Sequence, residues 1–256
     1  MATTENENED FIIGRHPVVS ALKGDNPVNK LFIQSGISDD ENVVADIIKL
    51  AKKRKLVVSQ VPKQKLDLLS DHQNHQGVVL AVAAFKYASI DDLFDHSEKV
   101  GVPPFFVILD NIEDPHNLGS IIRTADAAGV TGVIIPKHRA VGLTSTVAKT
   151  SAGAIERVPV ARVTNISSAI KELKDRGLWI FGTDVKGTDY RHWDAKGAVA
   201  VVIGNEGKGI SPLVKKQVDE MLTIPMVGDI QSLNASVAAS VLIYQGFNSR
   251  NPIGGN

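Results

Sequence analysis

The apolar positions of this chain follow two rhythms. Short β-branched and aromatic runs predict strands at 31–33, 56–58, 77–84, 105–109, 133–135, 158–160, 178–182, 198–203 and 221–224. Between several of these runs, apolar residues recur every third or fourth position. Val43, Val44, Ile47, Ile48 and Ala51 make one helix face, and Ile166, Ala169, Ile170 and Leu173 another. In the second half, helices are expected to start near Asn117, Thr144, Asn165, Pro212 and Ala235. From Phe105 strand and helix alternate to the end. That alternation predicts a mostly parallel sheet covered on both faces, with ligands at the carboxyl ends of its strands.

The same pattern divides the chain. Residues 11–84 read as a small α/β unit, and 105–251 as the larger one. Residues 85–104 carry two Lys and four Asp/Glu and end in Pro103-Pro104, so they read as a linker with a short helix near 90–94. Residues 1–10 are acidic and polar and read as a disordered tail.

Composition narrows the class. The chain has 256 residues, 43% of them hydrophobic, enough for a sizeable core. No apolar run approaches the ~20 residues of a membrane span. The opening MATTENENED lacks the basic and apolar regions of a signal peptide, so a cytoplasmic location is expected. Cys is absent, which excludes disulfides and thiolate metal sites, and the scattered His suggest no metal centre. Net charge is −1, so no global basic surface points to nucleic acid. Locally, residues 1–84 hold ten Lys/Arg against eleven Asp/Glu, four of those acids in the tail. The basic runs at 52–55, at Lys63 with Lys65, and at 137–139 fit either solvated faces or RNA contacts.

Three polar turns follow three of the strands. After 105–109 comes Asp110-Asn111-Ile112-Glu113-Asp114-Pro115-His116-Asn117, with Asn117 read as a helix N-cap. Leu118, Ile121, Ile122 and Ala125 form the buried stripe of that helix. Arg123 lies off it, one turn after Gly119, whose missing side chain is expected to leave room for the guanidinium. Such a fork suits phosphate, or a surface ion pair. After 198–203 comes Gly204-Asn205-Glu206-Gly207-Lys208-Gly209. It fails the phosphate-loop pattern because Gly, not Ser/Thr, follows Lys208, and its glycine spacing fails the dinucleotide fingerprint. Its glycines still allow close approach of a ligand or an ordinary tight turn. After 221–224 comes a loop to Ser232, Leu233 and Asn234 at the mouth of a small-residue helix. Ser232 and Asn234 serve equally as caps or as ligand contacts.

Taken in order, N-x-G-x-I-x-R from Asn117 to Arg123, G-N-E-G from Gly204 to Gly207, and I-P-M with S-L-N-A-S-V-A from Ile224 to Ala238 resemble three motifs of one family. It is the SpoU (TrmH) family of S-adenosylmethionine-dependent RNA ribose 2′-O-methyltransferases, and the likeness covers 105–248. Gly14 to Val18 and His75-Gln76-Gly77 are similar to a substrate-binding domain of one branch, which methylates a guanosine of 23S rRNA. A tRNA or another rRNA site is the alternative target.

The resemblance implies a SPOUT-type parallel sheet with a C-terminal trefoil knot, plus a small N-terminal α/β substrate-binding domain. Nothing in periodicity or spacing suggests a knot. It implies that S-adenosyl-L-methionine is held at Thr183, Gly204, Gly207, Ile224, Met226 and Leu233. Arg123 is then the catalytic residue, surrounded by Asn117, Glu206, Ser232 and Asn234, with Glu206 fixing the loops or pairing with Arg123. Family accounts make the Arg a general base. A guanidinium holds its proton so strongly that binding phosphate and stabilising an alkoxide is the better chemistry. RNA and a second copy of the chain, packed through the knot region, are the implied partners; a membrane and a metal are not. A non-catalytic RNA-binding protein and a nucleotide-dependent oxidoreductase are the competing classes.

Overall fold

The computed structural model describes residues 11–24, 27–37, 42–83, 85–230 and 232–253, and the segment read as a tail lies outside them. One unit comprises the residues through Lys86 with Gly142–Ser145, the other Tyr87–Val141 with Thr146 onward.

In the first unit the elements are β1 (Phe11–Ile13), α1 (Arg15–Lys23), β2 (Val28–Gln34), α2 (Asn42–Lys53), β3 (Val57–Val61), α3 (Lys63–Leu69) and β4 (Val78–Val82). The sheet order is β1-β4-β2-β3, with β2 and β3 parallel and the other pairs antiparallel. β2 alternates as a half-covered strand should, burying Leu31 and Ile33 against Val18, Leu22, Ile47 and Ala51 of α1 and α2. The short elements β1, α1 and α3 were not read from the pattern. Each offers too few apolar positions to set a period, and α1 opens on Arg15-His16-Pro17.

The second unit runs α4 (Ile90–Val100), β5 (Phe105–Leu109), α5 (Pro115–Ala127), β6 (Gly132–Pro136), α6 (Ser145–Thr150), β7 (Val160–Val163), α7 (Ile166–Asp175), β8 (Trp179–Asp189), β9 (Val199–Ile203), α8 (Pro212–Lys215), β10 (Glu220–Thr223) and α9 (Ala235–Arg250). Its sheet has the order β10-β8-β9-β5-β6-β7, parallel at every pairing. Every residue of β5, β6 and β9 is buried, as the continuous apolar runs require of strands covered on both faces. Phe106, Ile108, Ile134, Ile180 and Val202 pack on one face against Leu93 of α4, Ile170 and Leu173 of α7, and Val214 of α8. On the other face α5 packs against β6 and α9, and α9 against β9. Each of these fully buried large side chains contributes about 1.5–3 kcal/mol.

Two sequence readings need correction. The 85–104 stretch is not a linker: Ala88 bridges to Ala161, and α4 is an integral helix of the second unit. Ser89 caps α4 by accepting from Asp92 N at 3.1 Å, while the Asp92 carboxylate accepts from Ser89 N at 2.7 Å. Leu93 is fully buried, and the Phe94 ring meets Phe106 edge-on at 5.3 Å. The abundant charges lie on the solvent face of α4 and masked a narrow apolar stripe. The strand read at 158–160 is displaced, because Val158 N still bonds Ala154 O in the preceding turn and pairing starts at Val160.

Candidate active site

β5 delivers Asp110 to the carboxyl edge of the sheet. Its buried carboxylate accepts from Ser211 N at 2.6 Å and from Asn111 Nδ2 at 2.7 Å, tying the turn after β5 to the start of α8. Asn111 adopts a left-handed backbone (φ 63°), and its carbonyl accepts from Asn205 Nδ2 at 3.3 Å. The turns after β5 and β9 are therefore fastened to each other.

Asn117 is not the cap of α5. Asp114 is, accepting from His116 N at 2.8 Å, with Pro115 in the first helical position. Asn117 sits within the first turn, buried, and donates from Nδ2 to Glu206 Oε1 at 2.6 Å. Asn234 Nδ2 donates to Asn117 Oδ1 at 3.0 Å and lies 3.4 Å from Glu206 Oε1. Ala235 N donates to the same oxygen at 3.2 Å. Asn234 is also the N-cap of α9, accepting from Ser236 N at 2.9 Å and Val237 N at 3.3 Å. The cap and site readings of Asn234 are thus compatible. Glu206 sits at the positive end of α9 and ties its own loop to two other parts of the chain, the first turn of α5 and the start of α9.

The 204–209 loop closes on itself. Asn205 N donates to Gly209 O at 3.2 Å, Gly209 N returns to Asn205 O at 2.8 Å, and Asn205 Oδ1 accepts from Gly207 N at 3.0 Å. A Cβ on Gly204 would fall 2.3 Å from the Gly209 carbonyl carbon and 2.4 Å from Ile210 N. The loop's own returning backbone, not room for a ligand, therefore demands glycine there.

Beside this network the carboxyl ends of β8, β9 and β10 enclose a pocket of about 380 Å³. Thr183, Gly204, Gly207, Ile224, Met226 and Leu233 all line it, as do Glu206 and Ser232. Leu222 and Ala238 add apolar wall, and Asn205, Lys208 and Gly209 of the 204–209 loop line it too. Thr183 Oγ1 donates to Val202 O at 3.1 Å, bridging β8 to β9. Asp184 and Val185 were missed, because the reading ended β8 at 182 whereas it runs to Asp189. The Lys215 ammonium, hydrogen-bonded to Asp184, holds that carboxyl below the usual carboxylate range and keeps it an anion at neutral pH. Apolar walls, main-chain groups and an anionic edge suit a nucleoside-like cationic ligand.

Arg123 stands apart. It is exposed on α5, has no hydrogen bond or ion pair to a described residue, and is absent from the pocket wall. No ion pair joins Glu206 to it; Oε1 of that carboxylate accepts instead from Asn117, Asn234 and Ala235. Nor does Gly119 make room for it. Gly119 is buried, and a Cβ there would lie 2.5 Å from Thr150 Cβ, so the glycine serves the close approach of α6. Among the described residues no group of His, Asp and Glu could hold a metal ion, and no helix is long and apolar enough to cross a membrane.

Comparison with known proteins places this geometry. Residues 104–244 match the SpoU rRNA Methylase family, and 11–88 match the RNA 2′-O ribose methyltransferase substrate binding family. The chain is 49% identical over 249 residues to YacO of Bacillus subtilis, assigned to the TrmH family of tRNA/rRNA methyltransferases, covering 97% of this chain and 99% of that one. It is similar in structure to an AdoMet-bound rRNA methyltransferase of Sinorhizobium meliloti, with a TM-score of 0.57, 26% identity, and coverage of 92% and 85%. The SpoU methyltransferase AviRb of Streptomyces viridochromogenes, solved with AdoMet, shares the fold at a TM-score of 0.59 and 24% identity, covering 94% and 90%. This chain belongs to the SpoU (TrmH) family of RNA methyltransferases.

Proposed function

We propose that the chain transfers a methyl group from S-adenosylmethionine to the ribose 2′-hydroxyl of an RNA nucleotide, with a guanosine of 23S rRNA as the target. One observation carries the reading. Asn117, Glu206 and Asn234, distant in sequence, hydrogen-bond together at a pocket that all six expected cofactor positions line. Its volume lies within the range of about 300–1,000 Å³ usual for small-molecule sites. The rRNA target is supported by the separate substrate-binding match at 11–88 and by the likeness to the Sinorhizobium rRNA enzyme.

The residues present fit the donor. Ile224, Leu233 and Ala238 offer apolar surface to a purine, the main chain around Gly204 and Gly207 offers polar groups to its edges, and Asp184 offers charge complementary to a sulfonium or ammonium. The bound donor supplies an electrophilic methyl group on sulfonium sulfur. Glu206, held by three donors, keeps the 204–209 loop and the start of α9 in register, so the pocket is set before RNA arrives. Arg123, exposed and without an ion pair to a described residue, takes the phosphate beside the target ribose and stabilises the negative charge on the 2′-oxygen as the hydroxyl proton passes to water. Ser232, exposed at the pocket wall, supplies a hydroxyl toward the substrate side.

The reading includes a homodimer packed through the knotted unit, and a cytoplasmic site of action. The long return from the edge strand β10 to α9, which packs against α5 and β9 inside the fold, supports the knot. Mapping 2′-O-methylation across rRNA and tRNA, with and without the protein, tests the target. A mark on a 23S guanosine that depends on the protein supports it, and a tRNA mark replaces it.

A further inference from the structure

A second pocket, of about 490 Å³, lies wholly within the first unit. We propose that it receives one unstacked nucleotide from a single-stranded loop or bulge of the RNA substrate. The proposal rests on the reading of the chain as an RNA methyltransferase and adds a recognition site remote in sequence from the methyl-transfer motifs.

Most of its lining residues carry polar side chains whose chemistry complements that of a nucleotide. Arg15 and Lys63 contribute the cations. Arg15 is held in place, with its Nε donating to Gln76 O at 3.0 Å and its backbone N to Gln76 Oε1 at 3.1 Å. The guanidinium is thereby held at the wall, where it adds positive charge beside the exposed Lys63. Gln34, Gln73 and Asn74 bring carboxamides, which can read the donor and acceptor pattern of a base edge. The Gln73 and Asn74 side chains are exposed and make no hydrogen bond to any described residue.

The carboxylate of the pocket is already engaged. The buried His75 accepts from Gly77 N at 2.9 Å through Nδ1, which leaves Nε2 to donate to Asp67 Oδ1 at 3.0 Å. Asp67 Oδ1 is thus turned to His75, and the other described lining residues include two cations, four carboxamides and His72. The loop forming that wall carries left-handed backbone at Asp71 (φ 49°), His72 (φ 58°) and Gln76 (φ 50°), none of them glycine. His75 and the turn to β4 hold this costly shape. Loops fixed in such conformations commonly serve as ligand clamps. The pocket is open to solvent on the side of Gln73 and Asn74, and a base whose edge is engaged in a duplex offers nothing for these carboxamides to read, whereas a flipped or looped nucleotide does.

The test uses the full chain and fluorescence anisotropy with a labelled hairpin RNA carrying an unpaired loop, beside its stem as a blunt duplex. Lys63→Ala and the double variant Gln73→Ala with Asn74→Ala touch exposed side chains and leave the fold intact, checked by thermal melting. Lys52→Ala on α2 is the control for general charge. Each pocket variant should raise the hairpin Kd roughly tenfold, the scale of one charge-assisted or two neutral hydrogen bonds. Duplex binding should not change. Lys63→Ala should lower the slope of log K against log salt by about 0.7, while the amide variant leaves it alone. In turnover, RNA KM rises with kcat unchanged. Equal weakening of hairpin and duplex, or no weakening of either, overturns the proposal. So does binding of guanosine monophosphate that Lys63→Ala abolishes while the hairpin Kd holds, which would mark a mononucleotide site. A wild-type chain that binds no S-adenosylmethionine sinks the proposed function instead, and the hairpin comparison still stands on its own.

Discussion

The pocket of the second unit is lined by apolar residues and the glycine-bearing 204–209 loop, with Asp184, Glu206 and Lys208 among them, whereas the lining of the first unit's pocket is mostly polar, with Arg15, Lys63 and four carboxamides. Main chain is the same whatever the side chains, so the first kind of wall suits one invariant small molecule. Its sequence signature is turn chemistry: glycines, a cap and a proline at fixed places. A side-chain wall suits a polymer whose bases differ, and it leaves only scattered polar residues as its trace. The two kinds of wall therefore predict different responses to substitution.

Arg123 belongs to neither pocket, so its removal separates methyl transfer from cofactor binding. Arg123→Ala should lower single-turnover methyl transfer by about 10²–10³-fold, the scale of losing one preorganised charge-stabilising donor. The S-adenosylmethionine Kd from calorimetry should hold. A loss of cofactor affinity would place Arg123 in the pocket after all. Arg123→Lys keeps the charge and loses the fork; an activity that returns with a shifted pH profile would favour a base over a positioning cation.

Gly204→Ala strikes the main-chain pocket alone. Its Cβ meets backbone that cannot yield, so the loop must shift, at about 1–3 kcal/mol of stability. The cofactor Kd should rise about tenfold or more while RNA binding is retained. Equal damage to both would erase the contrast between the pockets. Glu206→Gln keeps the size but removes the charge facing the start of α9, and urea unfolding should show a loss of about 1 kcal/mol. The smallest effect expected is that of salt. RNA binding should weaken only moderately with ionic strength, since the cations are local patches on a chain of net charge −1. Cofactor affinity should be nearly flat over the same range, and a slope typical of a highly basic protein would contradict this.

The difference between the pockets also explains what the sequence made legible. The strand ends and their turns were readable because parallel strands impose continuous apolar runs and turns impose glycine, proline and caps. Thr183, Gly204, Ile224 and Leu233 follow from that grammar together with the family resemblance. The partners of Glu206 were not readable, since hydrogen bonds joining Asn117, Glu206 and Asn234 depend on tertiary closure. Asn117 looked like a cap because Asn often is one, but Asp114, three residues earlier, already filled that position. The reason offered for Gly119 failed for a related cause. Sequence shows that a side chain is missing, not which neighbour fills the space, and here it is Thr150. The helix expected near 90–94 proved longer and part of the second unit, because charge counts ignore direction and Leu93 and Phe94 face inward from a segment that is polar on average.

The carboxylate of Glu206 has a consequence for synthesis. It joins Asn117, 89 positions earlier, to Ala235, 29 positions later. A nascent chain that has not yet emerged past Ala235 has the strands and the glycine loop but leaves that carboxylate half satisfied. The first unit, whose sheet closes with β4, can be complete by then. During translation the chain thus acquires a folded first unit well before it acquires the pocket proposed for the methyl donor, and a ribosome stalled before the last helix would carry the first without the second.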